Sequence, residues 1–215
     1  MQAGRVPAGL LRAANQAGGR AAVLDQTGQD LIRPTTYDRR SLSPPGLAEL
    51  SNRVDVLLQT PLDFAQSDPE TTRRKVQLLS AVADYFNTLA LAEYGGRVGA
   101  ERQPGLVEQV VAAAFQTFAG RDSHPSPFEK AAMLVRGITQ GHPFQDANKR
   151  MGFLVASYYL AQLGYELVDP VPEAELIALA VGVSAGQVRD VAEIAAALRP
   201  FYRPHSGPEG TSGTA

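Results

Sequence analysis

Apolar residues recur every three to four positions along most of the chain, and this spacing is typical of amphipathic α-helices. The pattern begins near residue 44 and continues to residue 200, interrupted by short segments that contain glycine and proline. Strand-like alternation is scarce, and no internal repeat is present. The spacing predicts seven helices, at residues 44–58, 69–94, 107–118, 127–140, 147–163, 172–182 and 185–200. The predicted fold class is therefore all-α, a helical bundle.

Four of the predicted helices carry a recognisable start signal. Ser43 and Asp68 each stand before a proline, which favours the first helical position. Ser126 is followed three residues later by Glu129, and Ser184 by Gln187, the spacing of a capping box. The fifth predicted helix is apolar on nearly every side, which predicts that it lies in the centre of the bundle.

The two ends of the chain differ from this helical part. Residues 1–70 are predicted to form an N-terminal extension, partly irregular and with one helix, in which two short apolar runs at 21–32 could pair as a hairpin. Residues 203–215 contain Gly, Ser, Thr and Pro with no apolar anchor, and this composition predicts a disordered tail. The main domain accordingly spans residues 71–202.

Composition excludes several classes of protein. The length of 215 residues suits one domain with an appendage. The formal net charge is -2, whereas a nucleic-acid binder is usually basic, so we expect no nucleic-acid partner. Cysteine is absent, which excludes disulfides, thiolate metal ligands and a cysteine nucleophile. No apolar run reaches the roughly 20 residues of a membrane span, and no signal peptide is evident, so we expect a soluble cytoplasmic protein without a membrane partner.

The segment 95–105 interrupts the helical pattern with four glycines and a proline. Such a segment is most often a long surface connection. Functional loops are also drawn from segments of this kind, so both interpretations stay open at this point.

Candidate chemistry is concentrated in one short segment, residues 141–152, which reads GHPFQDANKRMG. Because Pro143 prevents a smooth helical continuation, the segment is predicted to be a corner between two helices. The next helix is predicted to begin near Asp146 or Ala147, and its first N–H groups have no intrahelical acceptor. With Lys149 and Arg150 beside it, this helix start is a candidate phosphate site.

The remaining residues of the corner supply complementary groups. Asp146 offers oxygen ligands for a Mg²⁺ ion that accompanies a nucleotide. His142 lies beside the anion site, where an imidazole can take a proton from a hydroxyl nucleophile. Phe144, between polar neighbours, is predicted to attach the loop to the core.

Each of these residues also has a plain structural interpretation. Asp146 could be an N-cap with Arg150 as its i,i+4 partner, and the charges could form a solvated helix face. A single histidine is usually a surface or core residue, which is the interpretation we favour for His124 and His205. The structural interpretation is weaker for the whole set, because a base, a carboxylate, an amide and two cations converge on one helix start.

The segment resembles the signature of the Fic/Doc family in its Doc (death-on-curing) form, and the wider similarity covers roughly residues 75–202. The matching residues are His142, Pro143, Phe144, Asp146, Ala147, Asn148, Lys149 and Arg150. The resemblance implies a Fic/Doc-like helical bundle with a short flap, which could be a β-hairpin. It also implies an enzyme that transfers part of ATP to a protein hydroxyl, with Mg²⁺ as cofactor.

By this resemblance each signature residue has a role. His142 would be the general base, and Asp146 would coordinate Mg²⁺. Asn148 and Arg150 would hold phosphates together with the N–H groups of the helix start at Ala147, and Lys149 would supply a charge for a terminal phosphate. The flap of the family, which holds the target peptide by strand addition, would correspond to Gly95, Gly96, Arg97, Val98 and Gly99.

Two positions distinguish the reactions of the family. Fic enzymes that transfer AMP have a glycine before the signature arginine and a second arginine three residues after it, where this chain has Lys149 and Phe153. Doc-type members have the lysine and resemble kinases, with a threonine of elongation factor Tu as their known target. The resemblance thus favours phosphoryl transfer to a Ser/Thr hydroxyl. A Fic-type nucleotidyltransferase and a non-catalytic helical adaptor are the alternatives.

Regulation is predicted from a missing motif. Many Fic proteins carry an inhibitory helix with Ser/Thr, three intervening residues, Glu and then Gly or Asn, and this pattern is not found in the sequence. The hypothesis is that a separate antitoxin of the Phd kind restrains the protein by docking as a helix in a groove.

Overall fold

The computed structural model describes residues 47–94 and 101–205, and the statements below concern those residues. They form seven α-helices and four short strands, so the predicted all-α class is confirmed. The helices are α1 (Leu47–Leu58), α2 (Pro69–Tyr94), α3 (Leu106–Ala113), α4 (Pro127–Gly141), α5 (Asn148–Gln162), α6 (Glu173–Ser184) and α7 (Val191–Leu198). The strands are β1 (Thr117–Phe118), β2 (Arg121–Asp122), β3 (Tyr165–Leu167) and β4 (Tyr202–Pro204), and a short 3-10 helix, Arg199–Phe201, joins α7 to β4.

Helix α5 is the central element, as its composition predicts. Met151, Val155 and Leu160 have no exposed surface, and Tyr158 and Tyr159 are 1% exposed. Helices α4 and α5 lie very close together because Gly152 has no side chain. A Cβ atom built at Gly152 would lie 2.7 Å from Thr139 Oγ1 and 3.0 Å from the Val135 carbonyl oxygen. This close packing fixes the geometry of the corner that joins the two helices.

Two of the predicted helix starts are confirmed. The Ser126 side chain accepts from the Phe128 N–H, and Glu129 accepts from the Ser126 N–H, which completes the capping box of α4. Asp68 accepts from the Thr71 N–H at 3.0 Å and caps α2. The predicted hairpin at 21–32 and the start of the first helix before residue 47 lie outside the described residues.

The third predicted helix, 107–118, is wrong at its C-terminal end. Helix α3 stops at Ala113, and β1 and β2 then form an antiparallel hairpin. Ala119 and Gly120 have φ of 50° and 75°, the conformation of a tight two-residue turn. Phe118 fits the helical period in the sequence, but it is 82% exposed on this hairpin.

The predicted start of the last helix at Ser184 is also wrong. Ser184 is the final residue of α6, and Gly186 follows with a left-handed φ of 69° that a continuing helix does not allow. Helix α7 begins only at Val191. Its cap is Asp190, whose carboxylate accepts from the Ala192 and Glu193 N–H groups.

The folded part extends past the predicted boundary at residue 202. Strand β4 pairs antiparallel with β3, and Arg203 lies opposite Glu166. The His205 N–H then donates to the Gly164 carbonyl at 2.7 Å. Residues 203–205 therefore belong to the fold and not to the tail, whose remainder lies outside the described residues.

Candidate active site

The corner between α4 and α5 is built from two residues with left-handed backbone. His142 ends α4 with φ 47°, and Ala147 precedes α5 with φ 64°. Residues other than glycine rarely adopt this conformation, at a cost of about 1 kcal/mol each. The side chain of His142 is exposed at this corner, whereas Pro143 and Phe144 are buried. The corner thus presents the predicted base to solvent, and Phe144 attaches the loop to the core as predicted.

Asn148 closes the loop on itself. Its side-chain amide donates to the Phe144 carbonyl and accepts from the Phe144 N–H, both at 2.9 Å. Asn148 is buried, so these two bonds satisfy polar atoms that would otherwise be costly. In this conformation the Asn148 amide shapes the loop, and its contact with a phosphate stays a prediction.

A second asparagine holds the loop from another helix. Asn87, on α2, donates from Nδ2 to the Asp146 carbonyl oxygen at 3.1 Å. The two residues are 59 positions apart in the sequence, so no local motif connects them. The available signal is a single amide among the buried apolar residues Ala83, Phe86, Ala90 and Leu91 of α2.

The start of α5 is open in the way that an anion site requires. Its N-cap is Ala147, and no side chain caps the helix. The alternative structural interpretation, in which Asp146 is the N-cap, is therefore wrong, and the helix starts near Ala147 as predicted. The backbone N–H groups of the first turn have no intrahelical acceptor, and they lie at the positive end of the helix dipole. Lys149 and Arg150 belong to this turn and are half-buried.

The Asp146 carboxylate is exposed beside that helix start. Its Oδ1 accepts from the Ala147 N–H at 2.6 Å, which orients the group. The described residues contain no group of three or more His, Cys, Asp or Glu side chains that could hold a metal ion by itself. Mg²⁺ takes one or two carboxylates and completes its shell with water and phosphate oxygens, so Asp146 fits an ion that arrives with a nucleotide.

The predicted flap residues, Gly95, Gly96, Arg97, Val98 and Gly99, lie outside the described residues. The chain that follows them is attached to the corner. Glu101 forms an antiparallel bridge with Phe144, and the Arg102 N–H donates to the Pro143 carbonyl at 2.7 Å. The segment after the flap therefore runs alongside the loop that carries His142.

One acidic side chain near this segment has an unusual pKa. Burial raises the pKa of Asp84, on α2, to about 6, and the negative charge of Glu101 adds to the increase. Arg53 of α1 lies 3.6 Å from the Asp84 carboxylate and opposes the shift. Sequence reasoning did not single out this residue, since its environment depends on α1, α2 and the segment at 101.

Two comparisons with known proteins agree with this arrangement. Residues 77–160, from α2 to α5, match the sequence profile of the Fic/DOC family. The Protein kinase doc of Escherichia phage P1 is 30% identical to this chain over 112 residues, which cover 84% of that protein and 52% of this chain. The chain belongs to the Fic/Doc family. The Toxin Doc of Mycolicibacterium smegmatis is 32% identical over 74 residues, 56% of its own length and 34% of this chain.

The Fic/Doc match covers all of α4 and most of α2 and α5, the three helices that hold the corner. Phe153, where the AMP-transferring pattern has its second arginine, is 8% exposed and belongs to the hydrophobic core.

In the part of the chain that the structure describes, no helix has the length and the apolar character needed to cross a membrane.

Proposed function

We propose that this Fic/Doc protein is a Doc-like kinase that transfers the γ-phosphoryl group of ATP to a Ser or Thr hydroxyl of a protein, as the toxin of a toxin–antitoxin pair. The observation that carries the proposal is the corner itself, where an exposed imidazole, an exposed carboxylate and an uncapped helix start with two cations meet. The names of the two relatives, Protein kinase doc and Toxin Doc, support it.

The residues of the corner match the needs of phosphoryl transfer. His142 would take the proton of the target hydroxyl, whose oxygen forms a bond to the γ-phosphorus while the bond to the β-phosphate bridging oxygen breaks and ADP leaves. Lys149, Arg150 and the N–H groups of the first turn of α5 would hold the phosphates, with Asn148 as a further predicted ligand. Asp146 would hold Mg²⁺, which neutralises phosphate charge when it is bound. Alignment and positive charge supply most of the catalysis in this class of reaction.

Two positions favour the γ-phosphate over the α-phosphate as the point of attack. A glycine at position 149 would let a phosphate approach the backbone closely, whereas Lys149 fills that space and supplies a charge for a terminal phosphate. Phe153 is buried in the core and cannot provide a second phosphate-binding cation. The Lys149→Gly variant therefore tests whether the lysine sets the orientation of the nucleotide.

The partners of the protein are part of the proposal. Elongation factor Tu is the first target to test, and a cytoplasmic location follows from that choice of substrate. A separate Phd-like antitoxin would restrain the activity. Expression of the chain alone should therefore arrest growth, and co-expression of a small protein from the neighbouring reading frame should relieve the arrest.

The test is a transfer assay with ATP labelled at either the α- or the γ-phosphate, together with Mg²⁺ and a cell extract. The kinase proposal requires that only the γ label reaches a protein and that His142→Ala abolishes the transfer. Transfer of the α label would instead identify a nucleotidyltransferase. If neither label is transferred and titration shows no binding of Mg·ATP, the chain is a non-catalytic adaptor.

A further inference from the structure

Asn87 is an unusual residue for its position on α2. It is 3% exposed, and Ala83, Ala90 and Leu91, one turn before and after it on the helix, are apolar and buried. A buried amide is costly to desolvate unless it forms hydrogen bonds, so an apolar residue would be the default here. The amide donates at 3.1 Å to the carbonyl oxygen of Asp146 in the corner loop.

That carbonyl belongs to the peptide unit between Asp146 and Ala147, and its orientation sets the φ angle of Ala147. Rotation of this peptide unit by half a turn would move Ala147 from its φ of 64° to a negative φ that an alanine prefers. The same rotation would turn the Ala147 N–H away from Asp146 Oδ1, to which it now donates at 2.6 Å. The bond from Asn87 opposes this rotation because it holds the carbonyl oxygen on the side of α2.

The Asn148 bonds do not replace this function. They attach the amide of Asn148 to Phe144, at the other end of the loop, and leave the peptide unit before Ala147 to be fixed by Asn87. Among the described residues, the hydrogen bond from Asn87 therefore joins this peptide unit to a helix outside the corner.

We propose that Asn87 is a positioning residue that keeps the Asp146–Ala147 peptide unit, and with it the Asp146 carboxylate and the start of α5, in the orientation that binds the phosphates of Mg·ATP. This inference rests on the proposed function, since it assigns Asn87 to the same site. Asn87 contacts the loop backbone and not the nucleotide.

The test compares Asn87→Leu, which has similar size but no donor, with Ser80→Ala on the same helix. Ser80 is a suitable control because it is also buried, and its hydroxyl has no hydrogen-bond partner among the described residues. We expect Asn87→Leu to weaken the binding of Mg·ATP, measured by calorimetry, about tenfold. The three-bond HN–Hα coupling of Ala147, measured by NMR, should change at the same time. Ser80→Ala should alter neither quantity.

A second variant separates positioning from general loss of structure. Ala147→Gly keeps the backbone N–H and adopts the left-handed conformation without strain, so the loop depends less on Asn87 in this background. The loss of affinity caused by Asn87→Leu should then shrink to about threefold or less.

The possible failures are distinguishable. If the unmodified chain binds no Mg·ATP, the proposed function fails, and the inference fails with it. If the unmodified chain binds Mg·ATP, three results would each overturn the role of Asn87 alone. These are unchanged affinity in Asn87→Leu, an equal loss in Ser80→Ala, and an equal effect of Asn87→Leu in the Ala147→Gly background.

Discussion

The bundle formed by α2, α4 and α5 has buried polar groups at both of its ends, and the two ends use different chemistry. At the loop end, the neutral amides of Asn87 and Asn148 hold the corner. At the other end, which we call the lysine end, Lys75 and Lys130 are 2% and 7% exposed. Along α2 the two ends are about 18 Å apart, given the rise of an α-helix.

The buried cations of the lysine end have partners within the protein. Lys130 Nζ donates to Asp122 at 2.8 Å and to the His124 carbonyl at 2.5 Å. Lys75 donates to the Gln66 carbonyl, and its Nζ lies 5.9 Å from the ring centroid of Phe64 and of Phe115. Burial lowers the pKa of Lys75, and the charge of Lys130 lowers it further.

The difference between the two ends indicates which cations stabilise the fold and which can bind a ligand. At the lysine end, a positive charge is enclosed by a carboxylate, carbonyls and rings, so it stabilises the structure. At the loop end, neutral amides hold the backbone, and the cations Lys149 and Arg150 stay half-buried at a helix start. The presence of a lysine therefore does not by itself identify the candidate site. The degree of burial distinguishes a lysine that stabilises the fold from one that can bind a ligand.

The largest effect is expected from breaking the ion pair between the buried Lys130 and the half-buried Asp122 at the lysine end. Lys130→Met should lower the free energy of unfolding by roughly 3 kcal/mol, because Asp122 and the His124 carbonyl lose their partner. Urea denaturation measures this change. Calorimetry on the folded variant should give a nearly unchanged affinity for Mg·ATP.

Lys149→Met is the matched variant at the loop end. It should leave the free energy of unfolding within about 0.5 kcal/mol of the unmodified value, as surface substitutions do, and weaken Mg·ATP binding. The distinction between the two ends would be wrong if Lys130→Met weakened nucleotide binding and Lys149→Met did not.

The next effect concerns catalysis. His142→Ala should reduce γ-phosphoryl transfer at least about 10²-fold, as for a general base, while folding and nucleotide affinity stay nearly unchanged. His124→Ala, at the lysine end, is the control. Its backbone carbonyl is the atom that Lys130 uses, so loss of the side chain should leave transfer intact. Equal losses in the two variants would argue against the assignment of the base.

The features that could be predicted from the sequence depend on residues close together in the chain. The capping box of Ser126 and Glu129 and the cap at Asp68 lie within three residues of the groups they bind. The corner at 142–150 was found in the same way, because its chemistry is contiguous. The central position of α5 followed from an apolar composition that no other arrangement could bury.

The features that could not be predicted depend on contacts between distant segments or on a competing local conformation. Asn87 and Asp146 come together only through the packing of α2 against the corner. The pKa of Asp84 depends on burial and on Glu101, which follows the predicted flap. Phe118 matches the helical period, but the turn at Ala119 and Gly120 determines the conformation there.

The close packing of α4 and α5 leads to a further prediction. Gly152→Ala should destabilise the protein by about 2 kcal/mol, because the new Cβ would lie within 3.0 Å of Thr139 Oγ1 and the Val135 carbonyl. Separation of the two helices should also displace both ends of the corner, so nucleotide affinity should fall with stability. The measurements are urea denaturation and calorimetry.

Thr139→Ala combined with Gly152→Ala sharpens this prediction. The Thr139 hydroxyl is buried without a hydrogen-bond partner among the described residues, so its removal relieves one of the close contacts. Part of the lost stability should return, and the two substitutions should be non-additive. If the changes in the free energy of unfolding were strictly additive, the new Cβ at position 152 would not be in contact with Thr139 Oγ1.

The smallest effect is expected at Asp84, near the loop end of α2, and its size depends on pH. The pKa of this carboxyl is raised from 3.8 to about 6, first by burial and then by the charge of Glu101. The folded state therefore holds its proton more tightly than the unfolded state. Asp84 adds stability at low pH, and this contribution is lost as the pH rises from about 4 through 6. Asp84→Asn should be more stable than the unmodified chain at pH 7.5, by about 1 kcal/mol after discounting the partly exposed Arg53 pair.

At about pH 3 and below, the difference between Asp84→Asn and the unmodified chain should become small, because Asp84 is then mostly protonated in both the folded and the unfolded state. Asp55→Asn, an exposed position on α1, is the control and should give a stability curve parallel to that of the unmodified chain. Thermal unfolding measured from about pH 3 to pH 8 distinguishes these cases. If the stability curve of Asp84→Asn is also parallel to that of the unmodified chain, Asp84 is not the group with the raised pKa. If the curves converge at low pH, the carboxyl one turn before Asn87 carries a pH-dependent charge next to the helix face that holds the corner.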